Sequence, residues 1–68
     1  MPKKIRELKM MLRKAGFVSR PGKGSHTVWT HALLIGTITI SGADGDDGRP
    51  YQEKDVRNVL KKVREVQK

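Results

Sequence analysis

The sequence predicts an α+β fold with two layers, in which two helices cover one face of a three-stranded antiparallel sheet. Three observations lead to this prediction. Apolar residues recur with the helical period near both ends of the 68-residue chain, and the middle carries short β-branched segments. The connections between those segments are short, which favours antiparallel neighbours. A sheet of this size can bury one face against both helices and leave the other face to solvent.

The first helix is predicted over residues 3–15. Its apolar stripe consists of Ile5, Leu8, Met11, Leu12 and Ala15. A neighbouring face is basic and carries Arg6, Lys9 and Arg13. Pro2 suits the first turn, where its missing N–H would have no helical partner. Gly16 suits the C-terminal cap, because glycine adopts the left-handed conformation without steric cost.

Three strands are predicted next, over residues 17–20, 25–31 and 37–40. The second contains a β-branched and aromatic run centred on Trp29, which favours a strand. Residues 33–34 lie in or beside a turn. The third strand alternates cleanly, so Ile38 and Ile40 are predicted on the covered face.

A loop over residues 42–50 and a second helix over residues 52–67 complete the predicted domain, which spans residues 1–68. The loop is rich in Gly and Asp and has no periodicity. The apolar side of the helix consists of Val56, Val59, Leu60, Val63 and Val66. A basic row on its flank consists of Arg57, Lys61, Arg64 and Lys68.

The charge of the chain points to nucleic acid as a partner. The net charge is +8, with +7 carried by residues 1–23 and +3 by residues 51–68, against −2 between them. Basic side chains that neutralise phosphates release condensed counterions, which favours binding. The alternative is that the lysines serve only solubility.

The composition also excludes several classes of site. The chain has no cysteine, and therefore neither a disulfide framework nor a thiolate zinc site. No apolar run follows the basic N-terminus, so we expect no signal peptide, no membrane span and a cytoplasmic location.

Two histidines are the candidates for acid–base chemistry, because their ordinary pKa permits both roles near neutral pH. On one strand, His26 and His31 would lie on opposite faces and about 17 Å apart. One of them can be catalytic, and His26 is the better candidate. His31 is predicted to be solvent-facing or structural.

The residues before His26 suit a phosphate. In the Gly-Lys-Gly-Ser loop, Lys23 supplies charge, and the backbone around Gly24 and Ser25 can approach an anion. Arg20 adds a second positive charge just ahead of the loop. Without other information, a lone loop histidine is usually only a surface residue.

Strand alternation raises a difficulty for His26. It would share a face with Val28, which looks directed toward the core. A twist or a bulge where the second strand begins would be needed to re-aim the histidine, and bulges do occur beside active sites.

Two other features have open interpretations. Trp29 could stack on an RNA base or pack into the protein. The acidic run at residues 44–47 could suggest a metal, but it lacks the EF-hand pattern, and its carboxylates sit together in one flexible loop. A polar turn is the default interpretation.

Gly16-Phe17 follows an amphipathic helix, and Gly24-Ser25-His26 precedes a strand with Trp29 three residues later. This arrangement gives the chain a resemblance to the HicA toxin family. It extends over nearly the whole chain, including the element order and the type of C-terminal helix. Many members have a second histidine after Gly-Ser-His, but this chain has Thr27.

The resemblance implies a translation-inhibiting ribonuclease with a fold like that of the double-stranded RNA-binding domain. It implies mRNA as substrate, a HicB-type antitoxin as partner and catalysis by His26 without a cofactor or metal. The phosphate-binding residues would be Arg20, Lys23, Gly24 and Ser25. The free protein is expected to be a monomer or weak homodimer.

Two alternatives stay open from sequence. The first is a non-catalytic double-stranded RNA-binding module of the same topology, although the start of the last helix carries Glu53 and Asp55, which repel phosphate. The second is a small DNA-binding regulator, although the chain lacks a recognisable helix-turn-helix.

Overall fold

Two helices and a three-stranded antiparallel sheet make up the computed structural model, which describes residues 3–67. In chain order the elements are α1 (Ile5–Lys14), β1 (Val18–Pro21), β2 (Thr27–Thr30), β3 (Ile38–Ile40) and α2 (Pro50–Gln67). β2 lies in the middle of the sheet and pairs antiparallel with both neighbours. This arrangement confirms the predicted fold class and element order. The predictions for Pro2 and Lys68 concern positions outside the described residues.

The strands are shorter or shifted relative to the predictions. β1 lies one residue later than predicted and ends with Pro21, which an edge strand tolerates because it need not donate on its outer side. β2 begins at Thr27 because residues 22–26 form the connection between β1 and β2. Neither helix within residues 3–67 has both the length and the apolar character to cross a membrane.

The start of α2 lies two residues earlier than predicted, at Pro50. Proline suits the first helical position, because its φ is already helical. Gln52 then makes one half of a capping box: its Oε1 accepts a hydrogen bond from the N–H of Arg49 at 2.8 Å. The Gln52 Nε2 donates to the carbonyl oxygen of Ser41 at 3.0 Å. Both ends of this buried amide are therefore satisfied, and β3 is tied to α2.

The C-terminus of α1 is capped around Gly16, as predicted. Gly16 has a φ of 97°, in the left-handed region. Its N–H donates to the carbonyl oxygen of Arg13 at 3.0 Å, and the N–H of Phe17 donates to that of Leu12 at 3.0 Å. These are the two hydrogen bonds of a Schellman motif. The side chain of Phe17 is buried, so the cap also directs the chain back over the core.

The core lies between the sheet and the helices. Its buried side chains are Ile5, Leu8, Leu12, Phe17, Trp29, Ile38, Ile40, Val56 and Val63. This set confirms the covered side of β3 and the centre of both predicted helical stripes. Four further residues of the stripes are partly buried and pack against the core: Met11, Ala15, Val59 and Leu60. Val66 is the exception, because it lies in the last turn of α2 with its side chain 53% exposed.

The alternation of β2 is the opposite of the predicted one. Trp29, not Val28, points into the core, where Trp29 is 1% exposed. Its Nε1–H donates to the Thr27 Oγ1 at 2.9 Å, and that hydroxyl donates to the carbonyl oxygen of Ile40 at 3.3 Å. The indole buries a larger apolar area than a valine and finds a partner for its polar atom. Val28 therefore faces the other side of the sheet, which we call the open face.

The acidic loop, residues 42–48, caps the N-terminus of α1 with its backbone. The N–H groups of Ile5 and Arg6 donate to the carbonyl oxygens of Asp46 and Asp44, at 2.9 and 3.2 Å. The first amides of a helix have no partner within the helix, so these bonds satisfy donors that would otherwise need water. A polar turn was predicted here, and the turn also closes the end of a helix.

Side chains of the acidic loop also bind α1 and the residue before it. The carboxylate of Asp44 accepts a hydrogen bond from the Lys9 Nζ at 2.7 Å, and that of Asp47 lies 2.6 Å from the Lys4 Nζ. The hydrogen bond from Lys9 holds the pKa of Asp44 below its usual value. Lys9 is therefore partly neutralised, although it belongs to the basic face predicted for α1.

Gly48 offers a test of how closely the acidic loop packs on α1. A Cβ at this position would lie 2.9 Å from the Leu8 Cδ1 and 3.0 Å from the carbonyl oxygen of Lys3. Gly48→Ala is expected to lower the free energy of unfolding by about 1–3 kcal/mol, as overpacking does. Urea denaturation followed by Trp29 fluorescence measures it. Gly45→Ala is the matched control, since nothing lies within 4 Å of its added Cβ; equal losses in both variants would contradict the packing.

The Lys9–Asp44 pair predicts a stability loss in acid. Because the pKa of Asp44 is lower in the folded state, its stabilisation is complete above the unfolded-state pKa and disappears as the pH falls through the folded-state pKa. The wild type should therefore lose free energy of unfolding below pH 3.8, and Asp44→Asn should lose less over the same interval. Chemical denaturation at successive pH values measures both. Asp55→Asn serves as control, and its free energy of unfolding should change with pH as that of the wild type does. The same behaviour in Asp44→Asn would show that the pair contributes nothing.

Candidate functional site

The connection between β1 and β2, residues 22–26, is a tight turn that we call the hairpin tip. The N–H of Gly22 donates to the carbonyl oxygen of His26 at 2.9 Å, and the N–H of His26 donates to that of Lys23 at 3.0 Å. Gly24 has a φ of 59°, whereas Ser25 has a negative φ, which is the pattern of a type II′ turn. The glycine at this position lets the hairpin close with His26 at the head of β2.

The open face of the sheet presents His26 to solvent. Since Trp29 points into the core, Val28 points away from it, and His26 has the same parity as Val28. The predicted difficulty is therefore absent, and no bulge is needed to re-aim the histidine. The error lay in taking Val28 as core-directed. His26 is exposed at the end of the open face that is nearest the hairpin tip.

Arg20 lies on the same face as His26. It pairs directly with Val28 across the β1–β2 ladder, and directly paired residues share a face. His26 occupies the diagonal position, so the two side chains start about 7–8 Å apart, within reach of a long arginine. The structure thus brings two of the predicted site residues together on one exposed surface.

The hairpin tip also offers donors for an anion. Within residues 3–67, the backbone N–H groups of Lys23, Gly24 and Ser25 have no acceptor, whereas those of Gly22 and His26 are used by the turn. The side chains of Arg20 and Lys23 are exposed and form no salt bridge in the described part of the chain. Unpaired amides beside two cations can bind a phosphate.

Ser25 has a structural contact in addition to its place in the tip. Its Oγ accepts a hydrogen bond from the N–H of Gly42 at 3.3 Å, which links the hairpin tip to the acidic loop. A groove of about 950 Å³ opens beside this link, between Ser25 and the first turn of α2. His26 does not line that groove, whereas Ser25 belongs both to the hairpin tip and to the lining of the groove.

His31 is structural, which was one of the two roles predicted for it. Its Nδ1 accepts a hydrogen bond from the N–H of Leu33 at 3.0 Å, and its Nε2 lies 3.0 Å from the carbonyl oxygen of Ala15. Both bonds require the neutral tautomer with the proton on Nε2. The ring also contacts Phe17 edge-on, with 4.9 Å between centroids. His31 therefore caps α1 from the side of the sheet opposite to His26.

Trp29 is not available for stacking on a base. It is almost fully buried, and the Arg13 guanidinium carbon lies 5.5 Å from its ring centroid. Arg13 thus covers the core tryptophan, as cations over aromatic faces do. The basic face predicted for α1 is partly committed to structure, since Lys9 and Arg13 both have internal partners.

A comparison with protein families shows which family the chain belongs to. Residues 5–64 match the family described as HicA toxin of bacterial toxin-antitoxin. The chain belongs to the HicA toxin family. Comparisons with curated proteins and with solved structures gave no match. The resemblance noted in the sequence is thereby confirmed, and membership of HicA implies a HicB-type antitoxin as partner.

One departure from the HicA pattern now has a structural reason. The position after Gly-Ser-His holds Thr27, whose hydroxyl connects the indole of Trp29 to the backbone of β3. Thr27 points toward the helices, away from the open face. In this HicA member, the residue next to His26 therefore serves the core and not the exposed surface.

The role of Gly22 was not predicted from the sequence. A Cβ at Gly22 would lie 3.3 Å from the carbonyl oxygen of His26 and 3.4 Å from its Cβ. Gly22 and His26 lie close together in the sequence, but whether they pair depends on where the hairpin closes.

Gly22→Ala is predicted to displace His26 while the fold survives. The contact with the carbonyl oxygen of His26 is tighter than ordinary van der Waals separation, so the added methyl should push the head of β2 away by a few tenths of an ångström. Two-dimensional NMR should show shift changes concentrated in residues 22–26 and in the His26 imidazole. Gly45→Ala, whose added methyl meets open space, should leave those signals unchanged. Unchanged imidazole signals in Gly22→Ala would show that the contact does not position His26.

Proposed function

We propose that the chain is the toxin of a type II toxin–antitoxin system and acts as an endoribonuclease that cleaves mRNA and thereby inhibits translation. The observation that carries this proposal is the exposed His26 on the open face, beside Arg20, Lys23 and the unpaired amides of the hairpin tip, in a member of the HicA family. A histidine next to cations and free donors suits acid–base chemistry on a phosphodiester.

In the proposed reaction, the nucleophile comes from the RNA itself. His26 accepts the proton of a 2′-hydroxyl, the 2′-oxygen bonds to the adjacent phosphorus, and the bond from phosphorus to the 5′-oxygen breaks. The leaving oxygen takes a proton from water. If His26 acts as the acid instead, its imidazolium protonates the leaving oxygen and water takes the proton of the 2′-hydroxyl. The products are a cyclic phosphate and a 5′-hydroxyl, and no metal or other cofactor is required.

Arg20 and Lys23 are proposed to stabilise the charge that develops on the phosphate. The amides of Gly24 and Ser25 add oriented dipoles that need no rearrangement during the reaction. Both cations lack salt-bridge partners within residues 3–67, so an incoming phosphate does not have to displace an acidic side chain. The site thus consists of one proton-transfer group and an anion-binding surround.

The proposed partners follow from the same assignment. The substrate is mRNA in the cytoplasm, and a HicB-type antitoxin holds the toxin inactive. The free protein is proposed to be a monomer or a weak homodimer. A basic chain of +8 repels its own copies, which favours the monomer at low salt.

Separate substitutions of the two histidines distinguish a catalytic role from a structural one. His26→Gln should lower the RNA cleavage rate by about 10²–10⁴-fold, the usual contribution of acid–base catalysis, and should no longer arrest growth. Because His26 is exposed, its loss should change the free energy of unfolding by no more than about 0.5 kcal/mol. His31→Gln is the matched control: it should be less stable but still cleave RNA when folded. Growth arrest and message loss persisting in His26→Gln would refute the assignment.

The chemistry of the ends gives a second test of the same proposal. Cleaved RNA should carry 5′-hydroxyl ends, and cleavage should continue in EDTA, because the 2′-hydroxyl replaces a metal-activated water. RNA 5′-phosphate ends, or loss of activity on chelation, would contradict the mechanism. RNA binding without any cleavage would instead favour the non-catalytic double-stranded RNA-binding module.

A further inference from the structure

A groove separates the C-terminal halves of α1 and α2 on the helix layer. Its volume is about 540 Å³, and its lining residues are Met11, Lys14, Ala15, Leu60, Val63, Arg64 and Gln67. Met11, Ala15 and Leu60 are partly buried and pack against the core, so they form a fixed apolar floor. The groove is therefore a hydrophobic depression that the two helices leave open between them.

The rim of the groove is basic. Lys14 and Arg64 are its charged lining residues, and both are exposed. Lys61 lies close by on the same flank of α2 and is exposed as well. Within residues 3–67, no salt bridge neutralises any of these three cations. An apolar floor beneath unpaired cations fits a ligand that is apolar on one side and acidic at its edges.

The groove lies far from the candidate catalytic surface in the architecture of the fold. The helices cover one face of the sheet, whereas His26 lies on the open face. The groove is also formed beside the Ala15 end of α1, where His31 and not His26 is located. A ligand in the groove thus occupies the opposite layer of the molecule from the hairpin tip.

We propose that this groove docks an amphipathic segment of the HicB-type antitoxin. An aliphatic side chain of that segment enters between Met11 and Leu60, and carboxylates beside it pair with Lys14 and Arg64. The inference rests on family membership, which implies the antitoxin, and not on the proposed ribonuclease reaction. In this proposal, the antitoxin is anchored in the groove, on a different surface from the one where it covers His26.

The lining favours a protein segment over the two other candidates. RNA would find two cations, but it would meet no aromatic side chain for base stacking among the lining residues, and aliphatic groups offer nothing to phosphate. A second copy of this chain would bring a basic rim against a basic rim. Only an acidic amphipathic partner satisfies both the floor and the rim, and complementary charge also speeds association.

Charge reversal at the rim tests the proposal. The probe is the HicB-type antitoxin coexpressed and copurified with this chain, then separated and titrated back by isothermal calorimetry. Lys14→Glu and Arg64→Glu combined should weaken the dissociation constant at least tenfold, with the loss reduced at high salt. Lys62→Glu is the matched control, because it reverses an exposed cation of α2 that lines a different groove, beside β3. It should bind within about threefold of the wild type.

The outcomes distinguish the occupants. If the double variant binds the antitoxin as tightly as the wild type does, the proposal is wrong. If Arg20→Glu and Lys23→Glu weaken antitoxin binding instead, the antitoxin binds the open face alone. If the double variant loses affinity for a single-stranded RNA oligonucleotide and keeps the antitoxin, the groove is an RNA surface. Circular dichroism of every variant should match the wild type, since the altered side chains are exposed.

Growth assays keep this proposal distinct from the ribonuclease proposal. With the antitoxin coexpressed, the double variant should still arrest growth, because it escapes neutralisation, while Lys62→Glu should be neutralised. Neutralisation of the double variant at normal antitoxin levels would overturn the docking. If no version of the chain arrests growth, the proposed function fails, but the titration still decides the groove.

Discussion

The burial of Trp29 determines the direction of every other side chain in the central strand. Its indole is the largest fully buried side chain of the core, and its N–H is satisfied through Thr27. A strand alternates strictly, so a buried residue at this position sends Val28 and His26 to the opposite face. A shift of register by one residue would bury the histidine and expose the indole. The exposed surface therefore depends on an interaction that lies entirely beneath it.

Both ends of α1 are closed by groups from distant parts of the chain. Carbonyl oxygens of the acidic loop accept the first amides of α1, and His31 donates to the carbonyl of Ala15 at its other end. Helix ends otherwise leave amides and carbonyls unpaired. These caps join α1 to the loop before α2 and to the turn after β2. Two residue types that suggest chemistry in a sequence, an aspartate cluster and a histidine, thus hold the fold together.

Periodicity was enough to predict the two helices, the covered face of β3 and the cap at Gly16. The relative placement of the predicted site residues could not be derived from the sequence, because it depends on how the strands pair. That Arg20 and His26 share a face follows from the register of β1 and β2, which the hairpin length decides. The predicted orientation of Val28 was wrong. Neighbouring residues of a strand face opposite sides, so only one of Val28 and Trp29 can face the core, and the larger Trp29 does so. Pro50 was assigned to the loop because the capping box formed by Gln52 involves tertiary contacts as well.

The position of α2 after the sheet in the chain has a consequence for synthesis. Val56 and Val63 complete the core, and both come from this last helix. A nascent chain that ends before Pro50 has its hairpin tip and His26 already, yet the apolar side of its sheet is only half covered. Small domains have little stability to spare, so such a chain cannot fold fully before the last helix leaves the ribosome. Folding of the domain, and with it the final placement of His26, therefore waits for the synthesis of α2.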